Sequence, residues 1–229
     1  MPILAYTILL SGAVCITGLA VIVRRIRMYG GQDKLAIISF VVGFAAAFPT
    51  WLIEKAVLPY TMHLTDIAGD ALRAFCVAGL AEESVKLIIL FAISSSRFFR
   101  RISDGPSFAV AIGLGFAFSE NIFFSLENPL TLFLRNFTSV PLHALTLAIP
   151  GWCLGMSRFA YKPIVPLGFF AAVILHGVYN FFLLLGGVYS LISFGLLIPA
   201  FIIVLKLFRH ARELDEKEGR FCREPSETD

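Results

Sequence analysis

Seven separate stretches of this chain are each about as long as a bilayer is thick, and that leaves the fold little freedom. A helix needs about 20 mostly apolar residues to cross the hydrocarbon. Residues 3–23, 35–58, 68–93, 108–126, 137–156, 164–185 and 188–205 all qualify. In lipid the backbone must satisfy its own hydrogen bonds, so apolar runs of this length read as helices, the third interrupted by charges. The expected fold is therefore all-α: a polytopic membrane bundle of about seven transmembrane helices. Composition agrees, with 58% hydrophobic and 15% charged residues and a mean hydropathy of +0.82. A soluble domain is about half apolar and about a quarter charged. Disorder, collagen and a disulfide scaffold are excluded by the same figures. Nucleic acid is excluded as a partner, because the net charge of +3 comes from scattered clusters rather than a basic face. No polar stretch is long enough for a second domain. Residues 1–208 are read as one membrane domain, and 209–229 as a charged, solvated cytoplasmic tail.

Charge sets the orientation. Arg24, Arg25, Arg27 and Lys34 follow the first span, Arg97, Arg100 and Arg101 the third, and Arg158 and Lys162 the fifth. Six more Lys and Arg residues follow the seventh, from Lys206 to Arg223. The alternate loops hold almost none, Arg135 excepted. Basic loops stay in the cytoplasm, which places the N-terminus outside and the C-terminus inside. The first span lacks a basic n-region and its positive charges follow it, so it is expected to be retained rather than cleaved as a signal peptide. Cys15, Cys76, Cys153 and Cys222 show neither metal-binding nor disulfide spacing and read as free thiols.

Ionisable groups deep in a span are costly and mark function. Span three carries Glu82, Glu83 and Lys86; span four carries Glu120 and then Asn121; span five carries His143; span six carries His176 and Asn180. Lys86 lies three and four residues after the two carboxylates, so it can pair with either on one helix face. His176 and Asn180 are also four apart. Gly113 and Ala117 precede Glu120 at the spacing that lets a neighbouring helix approach closely. Counted from the span ends, these groups reach similar depths, and one cluster near the midplane is expected. Outside it, Glu54 and Lys55 are read as snorkelling, Asp70 and Arg73 as an interfacial pair, and Arg135 as an anchor or a partner for a carboxylate.

Adjacent carboxylates beside a lysine cannot easily both be charged in a low dielectric, which puts a base and an acid in one place. A carboxylate can activate water, while imidazole and amide donors can hold an oxyanion. That is equipment for hydrolysing an amide. The same set could hold Zn²⁺, through Glu120, His143 and His176, with another Glu as base. The chain lacks the H-E-x-x-H spacing that puts two ligands on one helix, which tilts this reading towards a metal-free centre.

These residues resemble a known family. Glu-Glu-Ser-Val-Lys at 82–86 resembles the E-E-x-x-K signature of PrsW-type intramembrane proteases. The segment from Gly113 to Asn121 resembles that family's G-x-x-F-A-x-x-E-N element. His143 with Gly151 resembles its third motif, and His-Gly-Val-Tyr-Asn at 176–180 its H-G-x-x-N element. The motifs follow the family's order over roughly residues 35–185. Type II CAAX prenyl endopeptidases share the paired Glu and H-x-x-x-N but have His where this chain has Glu120, which favours the PrsW branch. The resemblance implies a bacterial inner-membrane endopeptidase making a first, extracytoplasmic-side cut in a single-pass anti-sigma factor within the lipid bilayer. It implies Glu82 or Glu83 as general base tuned by Lys86, Glu120 and His143 positioning water or metal, and His176 with Asn180 stabilising the oxyanion. The rival readings are a proton-coupled transporter and a non-catalytic scaffold. A retinal protein would need a lysine deep in span seven, and a haem carrier would leave three Glu unexplained.

Overall fold

A computed structural model describes residues 2–124 and 129–220. The described residues are helical nearly throughout. Helix α1 is Pro2–Met28, α2 Asp33–Val57, α3 Ile67–Leu72, α4 Ala81–Ser94, α5 Asp104–Phe124, α6 Pro129–Arg135, α7 Ser139–Phe159, α8 Val165–Leu185 and α9 Ser190–Lys217. Helices α3 and α4 are one span, joined by eight residues of π-helix, Arg73–Leu80. With α3–α4 counted as one and the short α6 set aside, seven long helices remain, as the sequence predicts. Six segments are long and apolar enough to cross a membrane by length and composition alone. The seventh, α3–α4, carries the charges that keep it off that count. Leu126 and Cys222 lie outside the described residues.

Burial shows which helices form the core. The most apolar window of α5 is 67% buried and that of α7 is 72%, against 22% for α1 and α9, 28% for α8 and 33% for α2. The outer helices turn apolar side chains such as Val41, Ile174 and Ile202 outwards, as expected where lipid is the solvent. Helix α5 can sit at the centre because it has small residues on opposite faces. A Cβ at Gly113 would run into the backbone carbonyl of His143 on α7, and one at Gly115 into that of Phe40 on α2. Such close backbone approach is how membrane helices gain packing without a hydrophobic drive between them. It is also what fixes α7, with His143, directly beside Glu120.

The basic loops gather at one end of the bundle. Arg101 on the α4–α5 loop donates to the Tyr29 carbonyl after α1, and Arg158 of α7 donates to the Ser94 carbonyl. Asp215 of α9 is fully buried there and accepts from the backbone N–H groups of Ile102 and Ser103, both at 2.9 Å. Helix α9 thus runs unbroken past residue 209, and the stretch expected as a solvated tail is docked as far as Arg220, which donates to the Phe159 carbonyl at 3.1 Å. The N–H groups of the two residues just before α5 need an acceptor, and Asp215 supplies it. At the other end Asp70 pairs with Arg73 at 2.7 Å, as expected. Cys15 and Cys153 are buried free thiols, and Cys76 is exposed along its span.

Candidate active site

The π-helical segment ends at Leu80, two residues before Glu82. A π-turn adds a residue per turn and commonly marks functional positions. Here it sets the face on which α4 begins, with Glu82, Glu83 and Lys86 all turned inwards and buried. Lys86 is fully buried, its ammonium 2.6 Å from Glu83 Oε1, 3.5 Å from Glu82 Oε2 and 3.1 Å from His143 Nδ1. It also lies 4.6 Å from the Phe116 ring centre.

The two histidines face each other edge-on, with ring centres 5.2 Å apart. Each has its far nitrogen on a carboxylate. His143 Nε2 is 2.7 Å from Glu120 Oε2, and His176 Nδ1 is 2.7 Å from Glu83 Oε1. An ammonium can only donate, so His143 Nδ1 accepts from Lys86 and its proton sits on Nε2, donated to Glu120. His176 likewise donates its Nδ1–H to Glu83, which leaves the lone pair on Nε2, 3.8 Å from Glu82 Oε2. The carboxylates are themselves held. Glu83 Oε1 also accepts from Thr146 Oγ at 3.0 Å. Glu120 Oε2 lies 2.6 Å from Arg135 Nη2, and that guanidinium is fixed by Asn121 Oδ1 at 2.9 Å and Ser139 Oγ at 3.0 Å.

Glu82, His143 and His176 form the set whose ligand atoms lie within 4.8 Å of one another. The sequence reading put Glu120 in that place. The structure puts Glu120 behind His143, clamped by Arg135, and turns Glu82 towards both rings. The residues fit a metal on their own chemistry. Glu82 Oε2 is buried with no hydrogen-bond partner among the described residues, and one ring nitrogen of each histidine points at it. Imidazoles that hand their other N–H to a carboxylate are oriented as metal ligands usually are. Through Glu82 the set borders a cavity of about 400 Å³ between α2 and α5, lined by Thr50, Trp51, Glu54, Glu82, Phe116 and Glu120 among others.

The structure thus brings together Glu82, Glu83, Lys86, Glu120, His143 and His176. Asn180 lies one turn beyond His176, half-buried, and makes no hydrogen bond to the cluster among the described residues. Among the described residues, Asn121 reaches the cluster through Arg135, whose Nε donates to Asn121 Oδ1. Glu54, read as a snorkelling residue, faces the cavity instead: the roughly helical register of α2 carries it inwards with Ala47, Thr50 and Trp51. Thr146 and Ser139 gave no signal, because a hydroxyl in an apolar span is ordinary. Arg135 gave one, as the exception among the alternate loops that otherwise hold almost no Lys or Arg.

A buried constellation of carboxylates and imidazoles inside a polytopic helical bundle, opening on a cavity, defines the class of intramembrane hydrolases. The comparisons make this specific: residues 32–206 match the model of the PrsW family of intramembrane metalloproteases, and the chain belongs to that family. Relatives named Protease PrsW include those of Geobacillus kaustophilus, Oceanobacillus iheyensis and Halalkalibacterium halodurans. The first is 32% identical over 63% of this chain and 65% of its own length. The second is 30% identical over 78% and 84%, and the third 32% over 69% and 74%. No solved structure matches. Family membership places the chain among the peptidases as a multi-pass membrane protein, and the family's description as metalloproteases runs against the metal-free preference drawn from the missing H-E-x-x-H.

Proposed function

We propose that the chain is an endopeptidase that cuts a single-pass membrane protein of the anti-sigma-factor type in the bacterial inner membrane, and that Glu82, His143 and His176 hold a zinc ion. The observation that carries this reading is the trio itself, with Glu82 Oε2 unpartnered and both imidazoles braced by carboxylates from behind. When bound there, zinc would polarise the scissile carbonyl and make water acidic enough to attack.

The chain's own groups do the rest. Glu83 is committed to three donors and acts by holding His176; Glu120, with Arg135, holds His143. His176 presents a lone pair to the site, which is the form of a ligand rather than of an oxyanion donor. The proton of the attacking water passes to Glu54, the cavity carboxylate with no ion pair among the described residues, and from there to the leaving nitrogen. Glu82 and Glu83, the bases inferred from sequence, are occupied otherwise. The aromatic walls of Trp51, Phe116 and Phe123 take the apolar flank of the substrate and keep bulk water away.

Purified protein in liposomes, incubated with a panel of single-pass anti-sigma-factor-type membrane proteins, should shorten at least one, and Glu82→Gln should abolish the product. A transporter or scaffold would leave the whole panel intact.

A further inference from the structure

The zinc seat is partly closed by a residue of the chain itself. A neutral imidazole nitrogen has one lone pair, and it can accept one hydrogen bond or ligate one metal, not both. At His143 the Nε2 side is committed to Glu120 at 2.7 Å, so only Nδ1 is left for a metal. That lone pair receives the Lys86 ammonium at 3.1 Å. The same ammonium lies 3.5 Å from Glu82 Oε2, the unpartnered oxygen of the seat. By contrast His176 Nε2 has no hydrogen bond among the described residues and is ready to ligate. Lys86 is fully buried and has a further hydrogen-bond anchor, Glu83 Oε1 at 2.6 Å, which does not belong to the trio.

We infer that Lys86 is a built-in competitor for the ion: its ammonium occupies the His143 lone pair that the metal needs, and zinc enters only as Lys86 withdraws onto Glu83. This rests on the trio being the zinc seat. It assigns Lys86 a role different from tuning a neighbouring base. A fixed positive charge beside the seat weakens metal binding through repulsion as well, but the competition is local. It should depend on what reaches His143 Nδ1, not on how many cations surround the cavity. Lys55, which lines the cavity and packs its ammonium towards the Trp51 ring at 5.8 Å, provides the comparison.

The test is Zn²⁺ titration of the full chain in detergent, stripped of metal beforehand and read against a chromophoric chelator. Lys86→Gln keeps a polar contact for Glu83 without an ammonium, and Lys86→Met serves if the glutamine variant does not stay monodisperse. Either should bind one equivalent at least tenfold more tightly than wild type. Lys86→Arg, which can still donate to His143, should not gain. An unchanged or weaker affinity in Lys86→Gln and Lys86→Met overturns the inference. So does an equal gain in Lys55→Gln, which would reduce the effect to general charge. If neither wild type nor the Lys86 variants bind zinc, the seat fails and the inference with it. Zinc bound as expected with no substrate cut would overturn the protease reading and leave the competition standing.

Discussion

At the scale of single residues, the site separates side chains that look alike in sequence. Glu82 and Glu83 are neighbours, yet Glu83 takes three donors on Oε1 and none on Oε2, while Glu82 Oε2, the oxygen nearest both imidazoles, takes none. Glu54 comes from another helix, on the wall of the same cavity, with its carboxyl within hydrogen-bond reach of Glu82. Replacing each by Gln preserves shape and removes charge, so the three variants should fail differently. Glu54→Gln should lower cleavage by about the 10²–10⁴-fold of a lost general base while keeping one zinc per chain. Glu82→Gln should lose zinc and activity together. Glu83→Gln should weaken zinc by the roughly 10–100-fold seen when a carboxylate behind a ligating imidazole is lost. Metal content and turnover, measured on the same preparations, check all three. Full activity in Glu54→Gln would return the base to Glu82. The cost argument that singled out Glu82, Glu83, Glu120, His143 and His176 from sequence works because a buried charge in lipid is expensive wherever it points. It passed over Glu54 because a carboxylate near a helix end can also reach water, and only the rotation of α2 decides between the two.

At the scale of helices, the site is held by approach distances rather than by any one bond. Gly113 lets α5 and α7 meet backbone to backbone, and the contact it permits is with the carbonyl of His143 itself. The spacing of Gly113 and Ala117 before Glu120 made this contact legible in the sequence. Gly113→Val should therefore act on the chemistry as well as on packing. Overpacking costs about 1–3 kcal/mol, visible as a lower unfolding temperature in detergent. Pushing α7 outwards also parts His143 from Glu120, now 2.7 Å apart. Zinc affinity should fall in Gly113→Val and be largely kept in Gly195→Val, where an added side chain meets open space. Equal affinity in the two would sever the link between helix approach and the seat. The π-helical segment had no comparable signature. Arg73–Leu80 reads as an ordinary apolar run, and whether a backbone adopts π or α geometry there is settled by what packs on it. Gly177 against Phe75 and Gly79 against the backbone of α8 are contacts a single sequence does not display.

At the scale of the whole molecule, the remaining question is which end faces the cytoplasm. The bundle gathers Tyr29, Arg101, Arg158 and Asp215 at one end, so the loops counted as basic in the sequence do share one side. The helices around them are bridged by bonds from those loops. Asp70 and Arg73 lie at the opposite end, beside the Thr61 carbonyl that Arg73 also binds. If Lys and Arg in short loops hold that side in the cytoplasm, as the positive-inside rule predicts, Tyr60 is outside and Tyr161 inside. Both are well exposed, at 77% and 90%, whereas Thr61 is buried at 4% and would report poorly. Single cysteines at positions 60 and 161, in a background with Cys15, Cys76, Cys153 and Cys222 all replaced by Ser, should give opposite results with a membrane-impermeant maleimide on intact cells: position 60 labelled, position 161 labelled only after lysis. The cavity side of Glu54 would then open towards the outer half of the bilayer, because Glu54 sits one turn from the α2 end that leads to Tyr60. A substrate cut there would be cleaved on its extracytoplasmic side. Labelling at 161 and not at 60 would invert the bundle and move the cut to the cytoplasmic face.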